Sequence, residues 1–167
     1  MLILGCDPGF RNLGLSLYDS DSGEVLLAKT VNCGSQPLAF AKVLLRELAD
    51  FECYGTISTV ATERPPYAFG GRATKYPSMI WCAMGALSYW AHSTFPSVSF
   101  RTLSVDVIKG FAARTLKEQR RKGGTRTNKK KQVKEAVHLL TTYPDGHKPT
   151  DHEDDATLAA LIVASRK

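Results

Sequence analysis

Short runs of apolar residues, separated by turn-forming residues, fill the first part of the chain. The run 2–7 predicts a buried strand, and apolar residues that alternate with small ones over 13–17 predict a second strand. Residues 8–9 (Pro-Gly) and 21–23 (Asp-Ser-Gly) have the composition of turns, and 24–31 predicts a third strand. Three consecutive strands joined by short turns predict an antiparallel meander.

After the meander, helical and strand patterns alternate. Apolar residues at helical spacing predict a helix over 37–50, and β-branched residues over 56–62 predict a fourth strand. Pro77 begins a helix to residue 92 that is apolar nearly all round, so we expect it to bury two faces. A fifth strand is predicted over 98–103. Three further helices are predicted: 105–116, one from a cap at residue 127 or 128 to 142, and one that begins at Thr150 in a capping box with Glu153.

The order of these elements predicts an α/β fold with a mixed five-stranded sheet, three antiparallel strands followed by parallel ones, flanked by helices. A chain of 167 residues is long enough to bury a substantial core, so we expect a single domain over 1–167. The first apolar run ends at Asp7, and the longest one, 79–91, is interrupted by Ser88. We therefore expect neither a secretion signal nor a membrane span.

Charge is unevenly distributed along the chain. The formal net charge is +6, yet the segment 101–134 holds twelve basic and two acidic residues and has a formal charge of +10. A segregated basic segment beside an acidic remainder indicates a polyanionic partner; the alternative is a solvated helix surface. Gly123 and Gly124 lie within the segment, so we expect a loop there rather than a regular helical face.

Three of the predicted elements each carry one acidic side chain near an end. Asp7 ends the first predicted strand, Glu63 ends the fourth, and Asp155 lies at the start of the last helix. Carboxylates at strand ends are costly to desolvate unless a positive charge lies between them. Hard oxygen ligands that converge on one point suit Mg²⁺ or Mn²⁺, and two such ions would suit hydrolysis of a phosphodiester.

The orientation of the last helix follows from its spacing of about 100° per residue. His152 and Asp155 fall on the apolar side, which faces the sheet. Glu153 and Asp154 fall on other sides, and we expect both to face solvent as favourable charges at a helix N-terminus. Asp151 lies at the border between the two sides.

These motifs resemble those of the RuvC family of Holliday-junction resolvases, members of the ribonuclease H-like superfamily. Residues 4–14, Leu-Gly-Cys-Asp-Pro-Gly-Phe-Arg-Asn-Leu-Gly, resemble the start of that family, hydrophobic-Gly-x-Asp-Pro-Gly-x-x-x-x-Gly. Residues 61–63, Ala-Thr-Glu, resemble its strand-end glutamate, and 152–156, His-x-x-Asp-Ala, resemble its closing helix. The match runs in order across essentially the whole chain.

The resemblance implies a ribonuclease H-like fold and a Mg²⁺-dependent endonuclease that cuts four-way DNA junctions and leaves 5′-phosphate and 3′-hydroxyl ends. It implies two metal ions in each site, with Mn²⁺ as the other candidate metal. The implied catalytic and metal-binding residues are Asp7, which would bridge both ions, Glu63, Asp155 and, in the fourth position, His152. Asp151 and Asp154 have the same Asp-x-x-Asp spacing and stay alternatives to His152.

The resemblance also implies DNA-binding residues. Tyr67 and Phe69 lie in the loop after the fourth strand, where the family has an aromatic residue that stacks on unpaired bases; the alternative is ordinary packing. Lys109 and Lys130 resemble basic residues near the scissile phosphate. Further phosphate contacts are expected from three residues of the basic segment: Arg120, Arg121 and Lys122. A four-way junction has two-fold symmetry, so we expect a homodimer, formed through the helix over 78–92.

Other functions fit parts of the pattern. An actin-like or sugar-kinase-like ATPase has a similar phosphate loop but needs a second lobe of similar size, for which 167 residues leave no room. A non-catalytic nucleic-acid-binding module of the same fold would be expected to lack one of the acids, and none is missing. A nuclease of this fold that acts on other branched DNA, or on RNA, stays open.

The four cysteines show no C-x-x-C or zinc-binding spacing. We expect buried free thiols, which are typical of a reducing compartment such as the cytoplasm of a bacterium or of a phage-infected cell.

Overall fold

Five strands form one mixed sheet in the computed structural model, which describes residues 1–9, 12–32, 34, 36–64, 77–121 and 131–166. The strands are β1 (Leu2–Asp7), β2 (Asn12–Asp19), β3 (Glu24–Asn32), β4 (Ile57–Glu63) and β5 (Ser99–Leu103). Their spatial order is β3-β2-β1-β4-β5, antiparallel from β3 to β1 and parallel from β1 to β5. The predicted sheet, three antiparallel strands followed by parallel ones, is confirmed.

Helices cover both faces of this sheet. They are α1 (Pro37–Leu48), α2 (Pro77–Thr94), α3 (Val105–Arg121), α4 (Gln132–Leu140) and α5 (Asp151–Ala164), and a 3-10 helix, Ala49–Tyr54, follows α1. Leu4 and Leu15 pack in the core with α1 and α2, whereas Ile3 and Tyr18 pack in the core with α3, α4 and α5. Side chains that alternate along β1 and β2 therefore fill both layers.

Helix α5 lies with its backbone directly against β1 and β2. A Cβ atom built on Gly5 would lie 1.9 Å from the carbonyl oxygen of Ala156, and one built on Gly14 would lie 2.0 Å from that of His152. Backbone atoms cannot move away cheaply in a close-packed interior, so both positions require glycine. These two glycines of the opening motif set the distance between α5 and the sheet.

The predicted capping box at the start of α5 is confirmed. The hydroxyl of Thr150, the N-cap residue, accepts a hydrogen bond of 3.2 Å from the backbone N–H of Glu153. The carboxylate of Glu153 accepts one of 3.2 Å from the backbone N–H of Thr150. These reciprocal bonds fix the residue at which α5 begins.

Helix α3 is longer than the sequence predicted. Arg120 and Arg121, which we expected in a loop, form its last turn. The buried residues Ile108 and Leu116 lie on one side of the helix, and the residues that follow are good helix formers without glycine or proline up to residue 123. The loop expectation was therefore wrong for the two arginines.

Helix α4 ends at Leu140, two residues earlier than predicted. The Thr141 hydroxyl donates a hydrogen bond of 2.7 Å to the carbonyl of Gly23, and Thr142 pairs with Glu24 as an isolated β-bridge. These bonds to the end of the β2–β3 turn take the place of a further helical turn.

Helix α2 packs one face against the core and leaves the other at the surface. Ala83, Leu87 and Ala91 are buried, whereas Trp81 is 47% exposed and Tyr89 is 71% exposed. The sequence predicted two apolar faces, and one of them is covered within a single chain. Within the described ranges, no helix combines the length and the apolar character needed to cross a bilayer.

The cysteines do not all follow the expectation of burial. Cys6, Cys53 and Cys82 are free thiols, but only Cys6 of these three is buried, so the expectation was wrong for the other two. Cys33 lies outside the described residues.

We predict that Gly14→Ala destabilises the protein, because the new Cβ overlaps the backbone of α5. Overpacking of this kind costs ~1–3 kcal/mol or more. The control is Gly110→Ala in α3, where a Cβ would meet only the Arg114 guanidinium, at 3.5 Å, among the described residues. Helix propensity should make this control more stable by up to ~1 kcal/mol. Urea unfolding measures both, and a Gly14→Ala protein as stable as the wild type would contradict the close approach.

Candidate active site

The parallel pairing of β1 and β4 places two carboxylates side by side. Cys6 pairs with Thr62, so the next position on each strand is occupied by Asp7 and Glu63. Because side chains alternate along a strand, both carboxylates point to the face that α5 covers. They lie at the carboxyl end of the parallel strands, where open α/β sheets form their ligand sites.

Helix α5 brings two further side chains to this edge. The Nδ1 atom of His152 donates a hydrogen bond of 2.7 Å to Oδ2 of Asp7. Asp155 lies close enough to Asp7 and Glu63 for their charges to raise its pKa. The structure thus brings together the four residues that the sequence predicted for the site, and their catalytic roles stay predictions.

Negative charge dominates the electrostatics of the site. Burial, together with the charges of Asp7 and Glu63, raises the pKa of Asp155 to about 7. Burial and then the charge of Asp7 raise the pKa of Glu63, and Lys109 opposes that shift. The hydrogen bond to Asp7 raises the pKa of His152, which favours its protonated form. The negative charges that raise the pKa values of Asp155 and Glu63 form an environment in which a cation would be stabilised.

The chemistry of these donors fits a hard divalent cation. Carboxylate oxygens are the ligands that Mg²⁺ prefers, and an imidazole nitrogen is tolerated by Mn²⁺. Within the part of the chain that the structure describes, no three His, Cys, Asp or Glu side chains are already arranged as a metal-binding group. Asp7 instead accepts the hydrogen bond from His152. A cation at this edge would therefore compete with His152 for the Asp7 carboxylate.

Glu153 and Asp154 do not face solvent, and this expectation was wrong. Glu153 is 4% exposed and Asp154 is 1% exposed. Helix α4 packs against α5, with His138 3.5 Å from Asp154, and the segment 141–150 contributes Tyr143 and His147 to the two acids. A helical wheel gives directions about one helix and carries no information on which neighbours cover it.

Hydrogen bonds compensate most of the burial of these two acids. Glu153 accepts one from the Thr30 hydroxyl, at 2.9 Å, and one from Nε2 of His147, at 2.7 Å. Oδ1 of Asp154 accepts one from the Tyr143 hydroxyl, at 2.9 Å. Oδ2 of Asp154 has no partner among the described residues. Sequence reasoning missed this network, because no local spacing relates Thr30 or Tyr143 to the last helix.

The predicted DNA-binding residues fall into three groups. Lys109 lies at the site, since its charge opposes the pKa shift of Glu63 and its side chain shares a cavity with Asp155. Arg120 and Arg121 lie in the last turn of α3. The remaining four lie outside the described residues: Tyr67, Phe69, Lys122 and Lys130. Lys134, which the sequence marked only as one member of the basic segment, lines the same cavity as Lys109.

The chain matches solved structures over nearly its whole length. No protein-family model and no curated protein matches it. Among solved structures, T. thermophilus RuvC in complex with a Holliday junction substrate matches with a TM-score of 0.67 and 17% identity, over 97% of this chain and 91% of that chain. The chain has the RuvC fold.

Two further structures agree with this result. Thermus thermophilus RuvC has a TM-score of 0.66 and 19% identity, over 97% of this chain and 92% of that chain. The yeast mitochondrial Holliday junction resolvase has a TM-score of 0.59 and 16% identity, over 97% of this chain and 78% of that chain. The ribonuclease H-like fold that the motifs implied is thus confirmed. At these identities the RuvC likeness shows the fold, and the activity depends on the side chains that this chain carries.

We predict that Asp155→Asn stabilises the metal-free protein at neutral and higher pH. A pKa raised from 3.8 to about 7 means that the folded protein keeps a proton that the unfolded chain releases, so wild-type stability falls as the pH rises through this range. Asparagine has no proton to lose. In a chelator, the variant should exceed the wild type at about pH 8 by ~2–4 °C in Tm for each kcal/mol of relieved repulsion, and the two should converge only as the pH falls below 3.8, the pKa of the unfolded carboxyl.

The control for this prediction is Asp145→Asn, which changes an exposed loop carboxylate. It should leave the Tm unchanged at both pH values. Added Mg²⁺ should raise the Tm of the wild type more than that of Asp155→Asn, because only the wild type keeps all three carboxylates. A wild type that is the more stable protein at pH 8 without metal would contradict the repulsion between these carboxylates.

Proposed function

We propose that this chain is a structure-selective DNA endonuclease, a Mg²⁺-dependent resolvase of four-way junctions. One observation carries the proposal: Asp7, Glu63 and Asp155 meet beside His152 at the sheet edge of a RuvC fold. The matched structures include RuvC bound to a Holliday junction substrate and a mitochondrial Holliday junction resolvase, which supports the same class of substrate here.

Asp7, Glu63 and Asp155 would hold two Mg²⁺ ions, or Mn²⁺ ions, with His152 in the fourth position. When bound, such ions polarise the phosphodiester, lower the pKa of an attacking water and stabilise the leaving oxygen. The fit rests on the donors themselves, three mutually repelling carboxylates at one edge. Asp151 and Asp154 stay alternatives to His152; the burial of Asp154 and its hydrogen bond from Tyr143 favour His152, which already contacts Asp7.

The chain's own residues prepare the site for a phosphate. In the metal-free protein, the hydrogen bond from His152 holds the Asp7 carboxylate, and a bound cation would displace it. Lys109 lies near Glu63, so its ammonium group adds positive charge where negative charge builds up on the phosphate. The products would carry 5′-phosphate and 3′-hydroxyl ends, which a ligase can join.

The basic segment is proposed to bind DNA phosphates. Helix α3 presents the exposed residues Lys109, Arg114 and Lys117. The proposal also includes six further residues, whose side chains lie outside the description: Arg120, Arg121, Lys122, Lys130, Tyr67 and Phe69. Phosphate attraction depends on the density of charge more than on regular structure, so the helical placement of two arginines keeps this proposal intact.

A homodimer through α2 is proposed from the exposed face of that helix. Trp81, Cys82 and Tyr89 are exposed on α2, and Gly85 lies between them, where a Cβ would meet no atom of the described residues within 4 Å. Exposed aromatic residues on one helix are typical of an interface, and a glycine there lets a second helix approach closely. A two-fold dimer would present one site to each of two strands of a four-way junction.

We predict that Asp7→Asn, Glu63→Gln and Asp155→Asn each abolish cleavage of a labelled four-way junction in Mg²⁺. Binding of the junction, measured by fluorescence anisotropy without metal, should change little, because the basic segment is intact. His152→Ala should lower the cleavage rate without abolishing it. Asp145→Asn is the control and should cut like the wild type.

The same assay tests the substrate. Three-way, flap, linear and RNA substrates, run beside the four-way junction, decide between a resolvase and a nuclease for other nucleic acids. Wild-type rates in any of the three carboxylate variants would remove that residue from the site, and a wild type that cuts none of the substrates would refute the nuclease.

We predict that Tyr89→Glu converts a dimer to a monomer at micromolar concentration, because it places a charge in the apolar interface. The control is Leu139→Glu, which introduces the same charge at an exposed leucine of α4. Light scattering measures both proteins. A monomeric wild type, or a dimeric Tyr89→Glu variant, would count against the α2 interface.

A further inference from the structure

A cavity of about 800 Å³ lies between α3, α4 and the start of α5, directly beside the carboxylates. Helix α3 contributes Lys109 and Gly110, α4 contributes its first turn, 132–134, and α5 contributes Asp155. The volume lies within the range of cavities that bind small organic ligands, ~300–1,000 Å³. It is sufficient for one nucleotide.

Two features of the walls formed by α3 and α4 attract anions. Lys109 and Lys134 both line the cavity, one from each helix. The first turn of α4 is also part of the wall, and its N-cap residue, Lys131, makes no side-chain capping bond. The leading N–H groups of a helix without a side-chain cap favour a negatively charged acceptor. Both features suit a phosphate group.

The wall formed by α5 attracts hydrogen-bond donors instead. Asp154 lies in this wall, almost fully buried, and its Oδ2 has no hydrogen-bond partner in the part of the chain that the structure describes. Asp151 lines the cavity with an exposed carboxylate. Ala113 and Val133 add apolar surface. The N–H groups of a nucleobase match the carboxylates, and its flat ring matches the apolar surface.

Gly110 gives an independent indication of a ligand. It lies in the middle of α3, where glycine costs about 1 kcal/mol relative to alanine. Packing does not explain it, because a Cβ would meet only the Arg114 guanidinium, at 3.5 Å, among the described residues. Gly5 and Gly14, in contrast, are each explained by an overlap with α5. A helical glycine in a cavity wall is typical of a place where a ligand approaches the backbone.

We propose that this cavity binds one nucleotide of the strand to be cut, the one adjacent to the scissile phosphate. Its phosphate contacts Lys134 and the first turn of α4, and its base lies against Ala113 and Val133, towards the α5 carboxylates. The inference rests on the proposed nuclease function and adds to it a contact with a particular nucleotide. Cleavage then depends on the base at that position.

The first test compares stability with cleavage in Gly110→Ala and Gly110→Leu. The alanine variant should be at least as stable as the wild type, and the leucine side chain should fill the cavity. Cleavage of the four-way junction should fall about tenfold or more in both, because the strand is displaced from the carboxylates. Two stable variants that cut at the wild-type rate would overturn the proposal.

The second test locates the nucleotide. The fluorescent base 2-aminopurine is placed in turn at each position around the crossover of the junction, which includes the cut, and binding is followed without metal in the Glu63→Gln protein. One position beside the cut should change its fluorescence on binding, and Gly110→Leu in the same background should remove that change. No responding position, or a response that Gly110→Leu leaves intact, would overturn the proposal.

The third test concerns the lysine. Lys134→Ala should lower the slope of log affinity against log salt by about 0.7–0.9, the value of one lost phosphate contact, and Lys134→Arg should restore it. The control is Lys42→Ala, which removes an exposed lysine of α1 and should leave the slope unchanged. A wild type that cuts no substrate would refute the nuclease alone, since fluorescence and salt dependence still report whether the cavity binds a nucleotide.

Discussion

The contact between the backbone of α5 and strands β1 and β2 is the constraint on which the site depends. It exists because Gly5 and Gly14 have no Cβ, so the carbonyl groups of Ala156 and His152 lie against the strands. Helix α5 begins at its capping box and rests on these glycines, so its position along and above the sheet is fixed. His152 can therefore reach Asp7, which ends β1.

The first turns of α5 carry acids into two different environments. Asp155 meets Asp7 and Glu63, and their mutual repulsion favours a cation between them. Glu153 and Asp154 turn to the other side, where hydroxyl and imidazole groups satisfy most of their oxygens. One helix thus combines a charged edge, the proposed metal site, with a buried, hydrogen-bonded support that holds it in place.

The cavity beside α5 connects this edge to the basic segment. Lys109 belongs to both, because its charge acts on Glu63 and its side chain lines the cavity. The helical part of the basic segment begins at the carboxylates and runs away from them along α3. Under the proposed nuclease function, a DNA strand bound along α3 would reach the carboxylates at the end of the basic segment.

The sequence by itself determined the sheet, the helix start at Thr150 and the identity of the acids, because strand alternation, capping and motif spacing are local properties. Predictions from the sequence were wrong where packing between distant segments determines the environment of a residue. The helical wheel predicted Asp154 to face solvent, because the spacing within one helix does not indicate which other helices pack against it. The loop predicted for Arg120 and Arg121 is helical in the structure. Only the tertiary structure showed why Gly5 and Gly14 are glycines, and that no described residue packs closely enough against Gly110 to require one. Contacts between distant segments, such as that of Thr30 with Glu153, depend on how the elements pack, so no local pattern in the sequence predicts them.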